Sequence, residues 1–373
     1  MSLPEVRHVT VAVPRPYDII IGRGVAGRLA AILSAYAPRH RIALITDSTV
    51  ADLHAKSLLS SLAASAARAD LHVIPSGEIH KTRATKEKLE DALAASGCGR
   101  DTVIVALGGG MVTDLAGFAA ATWHRGVPWV ALPTTLLAML DASIGGKTGV
   151  DHPAGKNLIG AFHQPLAVLA DTSWLETLPE DHLRAGMAEA IKAAVVRDAD
   201  LFAELGRLRP AIEKLEDAAL TAMLSRCCGI KAQVVAADER EGDLRQILNF
   251  GHTIGHALEA ISGWTMLHGE AVSIGMVAAA RIAVRHAGLS AGEAGAIEEM
   301  LASYGLPRSI PASLRGASPR AVLEAARSDK KARSGALRFA LPRRIGEMAR
   351  SPEGYGIPVP EGVVLEVLES MVW

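Results

Sequence analysis

Residues 9–171 alternate between two kinds of stretch, and this alternation limits the fold more than any other feature of the chain. Short runs rich in β-branched and other apolar residues read as strands: Val9–Val13, Tyr17–Ile21, Arg41–Thr46, Leu71–Ile74, Thr102–Leu107, a strand within Arg125–Leu132, and Ala167–Ala170. Stretches of helical length and composition lie among them, at about 26–36, 49–66 and 84–96. Thr102–Leu107 is nearly all apolar and offers no face to water, as expected of a strand covered on both sides. The pattern predicts a mostly parallel sheet with helices on both faces, a Rossmann-like α/β domain.

In such sheets ligands bind beyond the carboxyl ends of the strands. Polar residues and glycines gather there: Asp47, Glu78, Lys81 and Gly108-Gly109-Gly110. The triple glycine lets a backbone approach a pyrophosphate and leaves N–H groups free at a helix start, although it is not a GxGxxG motif. Asp47 suits a ribose hydroxyl, and equally a helix cap. Further on, Arg125, Lys147 and Lys156 suggest capture of phosphate or carboxylate, the two lysines each following a glycine. Gly145-Gly146-Lys147-Thr148 is not a P-loop, because Asp141 stands where the first glycine of that motif is required.

Thr177-Leu178-Pro179-Glu180 has the form of a capping box opening a helix to about Val196, after which the chain reads as nearly all helical. This places a boundary between an α/β domain, 1–178, and an all-α domain, 179–373. On that first helix Glu189 and Lys192 share a face among apolar neighbours, so the carboxylate needs a partner. The charged run Asp238–Asp243 reads as a solvated turn. It leads into Arg245, Asn249, His252, His256 and Glu259, followed by His268-Gly269-Glu270. Three of the 13 histidines fall in this segment. His252 and His256 are one helical turn apart, a common half of a zinc site, and His268 can add a further ring.

Composition excludes several classes. With 39 basic and 40 acidic residues the net charge is -1, and only 4% of residues are aromatic, so a nucleic-acid-binding surface is not expected. Three cysteines, two of them adjacent, fit a reducing compartment, and the start of the chain has no signal-peptide pattern, so a cytoplasmic protein is expected. The longest apolar region, Thr102–Trp123, is interrupted by four glycines and Asp114 and is not a membrane span.

Five blocks, in order and spacing, resemble the 3-dehydroquinate synthase family of sugar-phosphate cyclases. They are Gly108–Phe118, Pro133–Ala138, Asp141–Asn157, Gly186–Lys192 and Leu248–His256. Departures are small: Thr113 stands where many members have glycine, and Ala190 where many have valine. The resemblance implies an NAD-binding domain, a helical metal-binding domain and a site in the cleft between them. It implies zinc, or cobalt in its place, on Glu189, His252 and His268, with His256 as a catalytic or substrate-contacting residue instead of a ligand. NAD is expected at Asp47, Glu78, Lys81, Gly110, Met111, Val112, Thr113 and Asp114, and also at Thr134, Thr135, Lys147, Lys156 and the Trp174-Leu175-Glu176-Thr177 turn. Substrate is expected at Arg125, Asp141, Lys147, Asn157, Lys192, Lys231, Arg245, Asn249, His256 and one of Lys330 or Lys331. Of these, Asp141, Lys147, Lys192, Arg245, Asn249 and His256 are expected to serve the chemistry.

The implied reaction converts 3-deoxy-D-arabino-heptulosonate 7-phosphate to 3-dehydroquinate and phosphate, a step of the shikimate pathway toward chorismate and the aromatic amino acids. NAD oxidises the carbon 5 hydroxyl, phosphate is eliminated, NADH reduces the ketone again, and an intramolecular aldol step closes the ring. A homodimer is expected. Asp141, Asn157, Lys231 and Asp329-Lys330-Lys331 favour this branch over cyclases that make amino-substituted or related carbocycles. A zinc- and NAD-dependent polyol dehydrogenase is the more distant alternative.

Overall fold

The computed structural model describes residues 5–36, 41–64, 69–153, 155–312, 314, 318–328 and 337–371. Lys330 and Lys331 lie outside them. The chain divides into two compact units, one of residues 1–179 and 215–236, the other of residues 180–214 and 237–373. The helix Asp217–Ala237 thus belongs almost wholly to the first unit, although it follows the expected 178/179 boundary.

The first unit is built on a seven-stranded sheet. Its strands are β1 (Arg7–Val11), β2 (Tyr17–Gly22), β3 (Arg41–Asp47), β4 (Ala69–Ile74), β5 (Thr102–Gly108), β6 (Trp129–Pro133) and, later in the chain, β9 (Ala167–Asp171); between these last two lie β7 (Lys147–His152) and β8 (Gly155–Phe162). The sheet order is β1-β2-β9-β6-β5-β3-β4. Only β1 and β2 pair antiparallel; all other neighbours are parallel. Every residue of central β5 is buried, as its unbroken apolar run requires. One face packs under the helices Leu29–Tyr36 and Lys56–Ala64 through Leu33, Leu58, Leu62, Leu44, Val105 and Leu132. The helix Gly110–Thr122 packs against β5, β6 and β3, and Arg83–Ala95 packs beside it. Fully burying each such Leu, Ile or Val side chain contributes about 1.5–3 kcal/mol. No described helix is long and apolar enough to cross a membrane.

The antiparallel hairpin β7–β8 lies outside this sheet. The glycines and lysines of residues 147–162 mask the two-residue period of these strands in the sequence. The capping box expected at Thr177 is absent. The helix begins at Glu180, and the Thr177 hydroxyl donates to the Trp174 carbonyl at 2.9 Å as part of the tight turn Thr172–Thr177. A true capping box occurs at Ser290 and Glu293.

In the second unit the helix His268–His286 is the hub, packed against Glu180–Arg197, His252–Ile261, Ala291–Ser303 and Glu361–Glu369. Two glycines permit this. A Cβ on Gly269 would stand 1.8 Å from the Ala185 carbonyl oxygen, and one on Gly275 would stand 1.9 Å from that of Gly251. The unit is helical but not purely so. Leu337–Phe339 pairs with Ile357–Val359 as a small ribbon, and a second joins Pro342–Arg344 to Glu347–Met348.

Candidate metal centre and nucleotide site

Three helices of the second unit each deliver one side chain to a common point. Glu189 comes from the middle of Glu180–Arg197; His252 and His268 are each the first residue of their helices. One donor atom from each lies within 4.8 Å of the other two. His252 Nε2 is 3.8 Å and His268 Nε2 3.7 Å from Glu189 Oε1. The outward nitrogens are engaged. His252 Nδ1 lies 3.1 Å from the Phe250 carbonyl oxygen, and His268 Nδ1 lies 3.2 Å from Glu259 Oε2. Such outer contacts fix the ring tautomer and aim Nε2 at the shared point, the usual arrangement behind a metal-binding histidine. Two imidazoles and a carboxylate suit zinc or a similar divalent ion, and leave coordination positions for further ligands. Among the described residues no other such group occurs.

Charge balance agrees. Burial acts to lower the His268 imidazole, yet Glu259 and Glu189 overcome it and hold the ring up at about 10. Three such donors around a proton, two of them buried and His268 half-buried, are what a divalent cation replaces. Lys192, one turn on from Glu189, pairs directly with its Oε2, and both side chains are almost completely buried. His256 borders the triad: its ring centroid is 5.3 Å from that of His252 and 6.3 Å from that of His268.

The run Asp238–Asp243, expected to be a solvated turn, is folded around one carboxylate. Asp238 accepts the backbone N–H groups of Gly242, Asp243 and Arg245 at 2.8–3.0 Å. Burial raises its carboxyl, but these N–H groups hold it below the ordinary range. This loop seats two expected substrate residues. Buried Arg245 donates to the Glu239 carbonyl at 2.5 Å, and Asn249 Nδ2 donates to Glu241 Oε1 at 2.6 Å.

The first unit carries the remaining site residues, mostly where strands of the sheet end. Asp47 closes β3 and caps the next helix, its Oδ1 accepting from Thr49 and Val50 at 2.9 and 3.0 Å. Gly108 and Gly109 lead from β5 into Gly110–Thr122, whose first turn includes Met111, Val112 and Thr113 and holds no acidic side chain. A Cβ on Gly108 would stand 2.6 Å from the Val112 side chain, so a bare backbone is required there, and one on Gly109 would crowd the Thr135 methyl at 3.1 Å. A glycine-only helix start of this kind fits a pyrophosphate. Thr135 caps the following turn at Ala138, and the Thr134 N–H donates to the Gly108 carbonyl. After β9, the Trp174–Thr177 turn is held by Asp171, by Arg23 bonded to Glu176, and by His54 against Trp174 and Thr177.

A buried ionic network lies beside this helix start. Lys81 Nζ is 2.6 Å from Asp114 Oδ2 and 3.6 Å from Glu78, and Lys156 is 3.4 Å from the same Glu78 oxygen. Burial raises the Asp114 carboxyl to about 6, with Lys81 holding it from going higher. Burial acts to lower the Lys81 ammonium, but Asp114, Glu78 and Asp151 raise it above its ordinary value. Lys231 donates to the Asp141 carbonyl at 2.5 Å and also to its carboxylate. Lys147 opens β7 and is exposed, and so is Arg125, in a left-handed conformation at φ 69°. Asn157 on β8 is also left-handed, at φ 53°.

The sequence reading left Glu259 without a role. Its spacing was a usable signal, because it lies seven residues, or two helical turns, after His252 on the same helix.

Two family models match this chain, "3-dehydroquinate synthase N-terminal" over residues 71–185 and "3-dehydroquinate synthase C-terminal" over residues 186–332. A 3-dehydroquinate synthase of Synechococcus sp. (strain CC9605) is 46% identical over 355 residues, covering 93% of this chain and 94% of the relative. One from Geobacter metallireducens is 47% identical over 335 residues, covering 89% and 91%. Among solved structures, a 2-deoxy-scyllo-inosose synthase complexed with carbaglucose-6-phosphate, NAD+ and Co2+ superposes with a TM-score of 0.85 at 27% identity, covering 98% of this chain and all of that one. A 2-epi-5-epi-valiolone synthase from Streptomyces hygroscopicus with NAD+ and Zn2+ bound gives 0.84 at 30% identity, covering 100% and 98%. The NADH-dependent butanol dehydrogenase A of Thermotoga maritima, 16% identical with a TM-score of 0.67, shares the fold alone. With full-length relatives at this identity and both halves matched by its models, the chain belongs to the 3-dehydroquinate synthase family.

Proposed function

We propose that this protein is a 3-dehydroquinate synthase that converts 3-deoxy-D-arabino-heptulosonate 7-phosphate to 3-dehydroquinate and phosphate in the shikimate pathway. Beyond family membership, the observation that carries the reading is the triad Glu189, His252 and His268, with its outer partners Phe250 and Glu259. These three residues are the proposed holders of a zinc or cobalt ion. The glycine-only helix start, Asp47, the Lys81–Asp114 network, Thr134, Thr135, Lys147, Lys156 and the Trp174–Thr177 turn are the proposed NAD site. When bound, NAD supplies a transient hydride acceptor and the metal a Lewis acid for substrate oxygens.

The rest falls to the chain's own side chains. Arg125, Lys147, Asn157 and Lys192 are proposed to anchor the doubly anionic substrate, several of them at its phosphate. Arg245 and Asn249 present fixed groups to its polar end, because their partners Glu239 and Glu241 already hold them in place. Asp141 is held by Lys231, which donates to its carboxylate. His256 is proposed to exchange a proton with substrate, a role supported by its ring lying beside that of His252.

The proposed setting is the cytoplasm, supported by three buried cysteine thiols. The proposed assembly is a homodimer, supported by exposed Leu71 and Val73 on the edge strand β4. Incubating the protein with zinc, catalytic NAD and the heptulosonate phosphate should yield 3-dehydroquinate and one equivalent of phosphate, with no net NADH. NADH rising in proportion to product would instead establish a polyol dehydrogenase. A different carbocycle would move the protein to another branch of the cyclases.

A further inference from the structure

The hairpin β7–β8 is irregular at one point. Val150 faces Ile159, but the next aligned pair is His152 with Gly155, so the single residue Asp151 stands opposite Lys156, Asn157 and Leu158. Two extra residues are thereby forced out of the ladder on β8. Bulges of this kind re-aim side chains near active sites and need something to hold their shape. Here the extra turn is closed by a side chain: the Asn157 N–H donates to Asp151 Oδ1 at 2.8 Å. That bond holds Asn157 in the left-handed region, φ 53°, which an asparagine enters at a cost. The neighbouring Lys156 points back to Glu78, 3.4 Å away.

The backbone of Asp151 is tied in the other direction. Its N–H donates to the Lys81 carbonyl at 2.7 Å, and Asp151 bridges to Thr82, the residue that caps the helix Arg83–Ala95. One residue therefore joins the turn that carries Glu78 and Lys81 to the bulge that carries Lys156 and Asn157.

We infer that Asp151 is a positioning residue that clamps the β8 bulge, so that Asn157 meets the substrate anion while Lys156 stays with the nucleotide residues. The inference rests on the proposed function for the roles of Asn157 and Lys156, and on geometry alone for the clamp. What the clamp needs from residue 151 is an acceptor oxygen, not a charge. Asp151→Asn keeps an acceptor; Asp151→Ala removes it.

The test measures three quantities for wild type, D151A and D151N: kcat/KM for the heptulosonate phosphate, equilibrium binding of NAD alone, and hydrogen–deuterium exchange of the amides at 155–162. In D151A, kcat/KM should fall about 10- to 100-fold, the loss of one hydrogen bond to a charged acceptor. NAD binding should change less than about 3-fold. Exchange at Asn157 should quicken about 10-fold or more. D151N should recover most of all three. D151A with wild-type exchange and kinetics would overturn the clamp. So would D151N as impaired as D151A, since that result assigns the effect to charge near Lys81 and Lys156. If wild type does not turn over the heptulosonate phosphate, the proposed function fails, while the exchange comparison still decides the clamp. If D151A does not fold, D151V, which also removes the acceptor and suits an extended strand, takes its place in the same comparison.

Discussion

Gly269→Ala sets two magnitudes against each other. Alanine is favoured over glycine within a helix by about 1 kcal/mol, so propensity alone predicts a gain. Packing predicts the opposite. The added Cβ would lie 1.8 Å from the Ala185 carbonyl oxygen, where a distance below 3.0 Å is not tolerated. To go from 1.8 Å to 3.0 Å the start of the helix His268–His286 must withdraw from Glu180–Arg197 by about 1.2 Å. The obstacle is backbone, so no rotamer change relieves it, and the cost lies at or above the top of the roughly 1–3 kcal/mol range for overpacking. The net loss is about 2 kcal/mol, which lowers the melting temperature of a unit this size by about 4–8 °C. His268 precedes the substituted residue and Glu189 lies one turn beyond Ala185, so the same movement pulls a proposed ligand pair apart. Metal sites tolerate departures of only about 0.2 Å in ligand distance. The variant should therefore lose zinc as well as stability. Thermal melts by circular dichroism, together with elemental analysis after zinc reconstitution, read both effects. A variant with the wild-type melting temperature would refute the packing argument, and a destabilised variant that still binds one zinc would refute the ligand assignment.

Three further outcomes are expected. Glu259→Gln keeps the shape behind His268 but removes the carboxylate, and zinc affinity by competition with a chelator should fall about 10- to 100-fold; unchanged affinity would mean Glu259 does not support the site. Lys192→Ala should lower kcat/KM roughly 10- to 150-fold. Because Lys192 pairs with Glu189 directly, its zinc content must be measured in parallel; wild-type kcat/KM with intact metal would remove Lys192 from the site. Lys81→Met should be pH-dependent: Asp114, already at about 6 in the fold, moves higher once Lys81 is gone. A carboxyl raised in the folded state contributes stability below its folded value and loses it as pH rises through that value. The variant should therefore lose about 3–5 kcal/mol at pH 8, where the buried carboxylate is ionised without its partner, and clearly less at pH 5. Equal losses in urea melts at the two pH values would show that the pair is not coupled.

The sequence by itself determined the parallel sheet, because an apolar run such as Thr102–Leu107 cannot lie against water and strand–helix alternation leaves few other topologies. It also determined the glycine-only helix start after β5 and the presence of a histidine-rich metal segment, both carried by short-range spacing. It could not choose between His256 and Glu189 as a companion to His252. The i,i+4 rule speaks only within one helix, whereas the triad is assembled from three, brought to one point by glycine contacts such as Gly269 on Ala185. The tertiary structure alone decided that Asp238 folds a charged run around itself and that Glu259 stands behind His268. It alone revealed the β7–β8 bulge, because register depends on which residues face each other across two strands and no local pattern in residues 147–162 records that pairing.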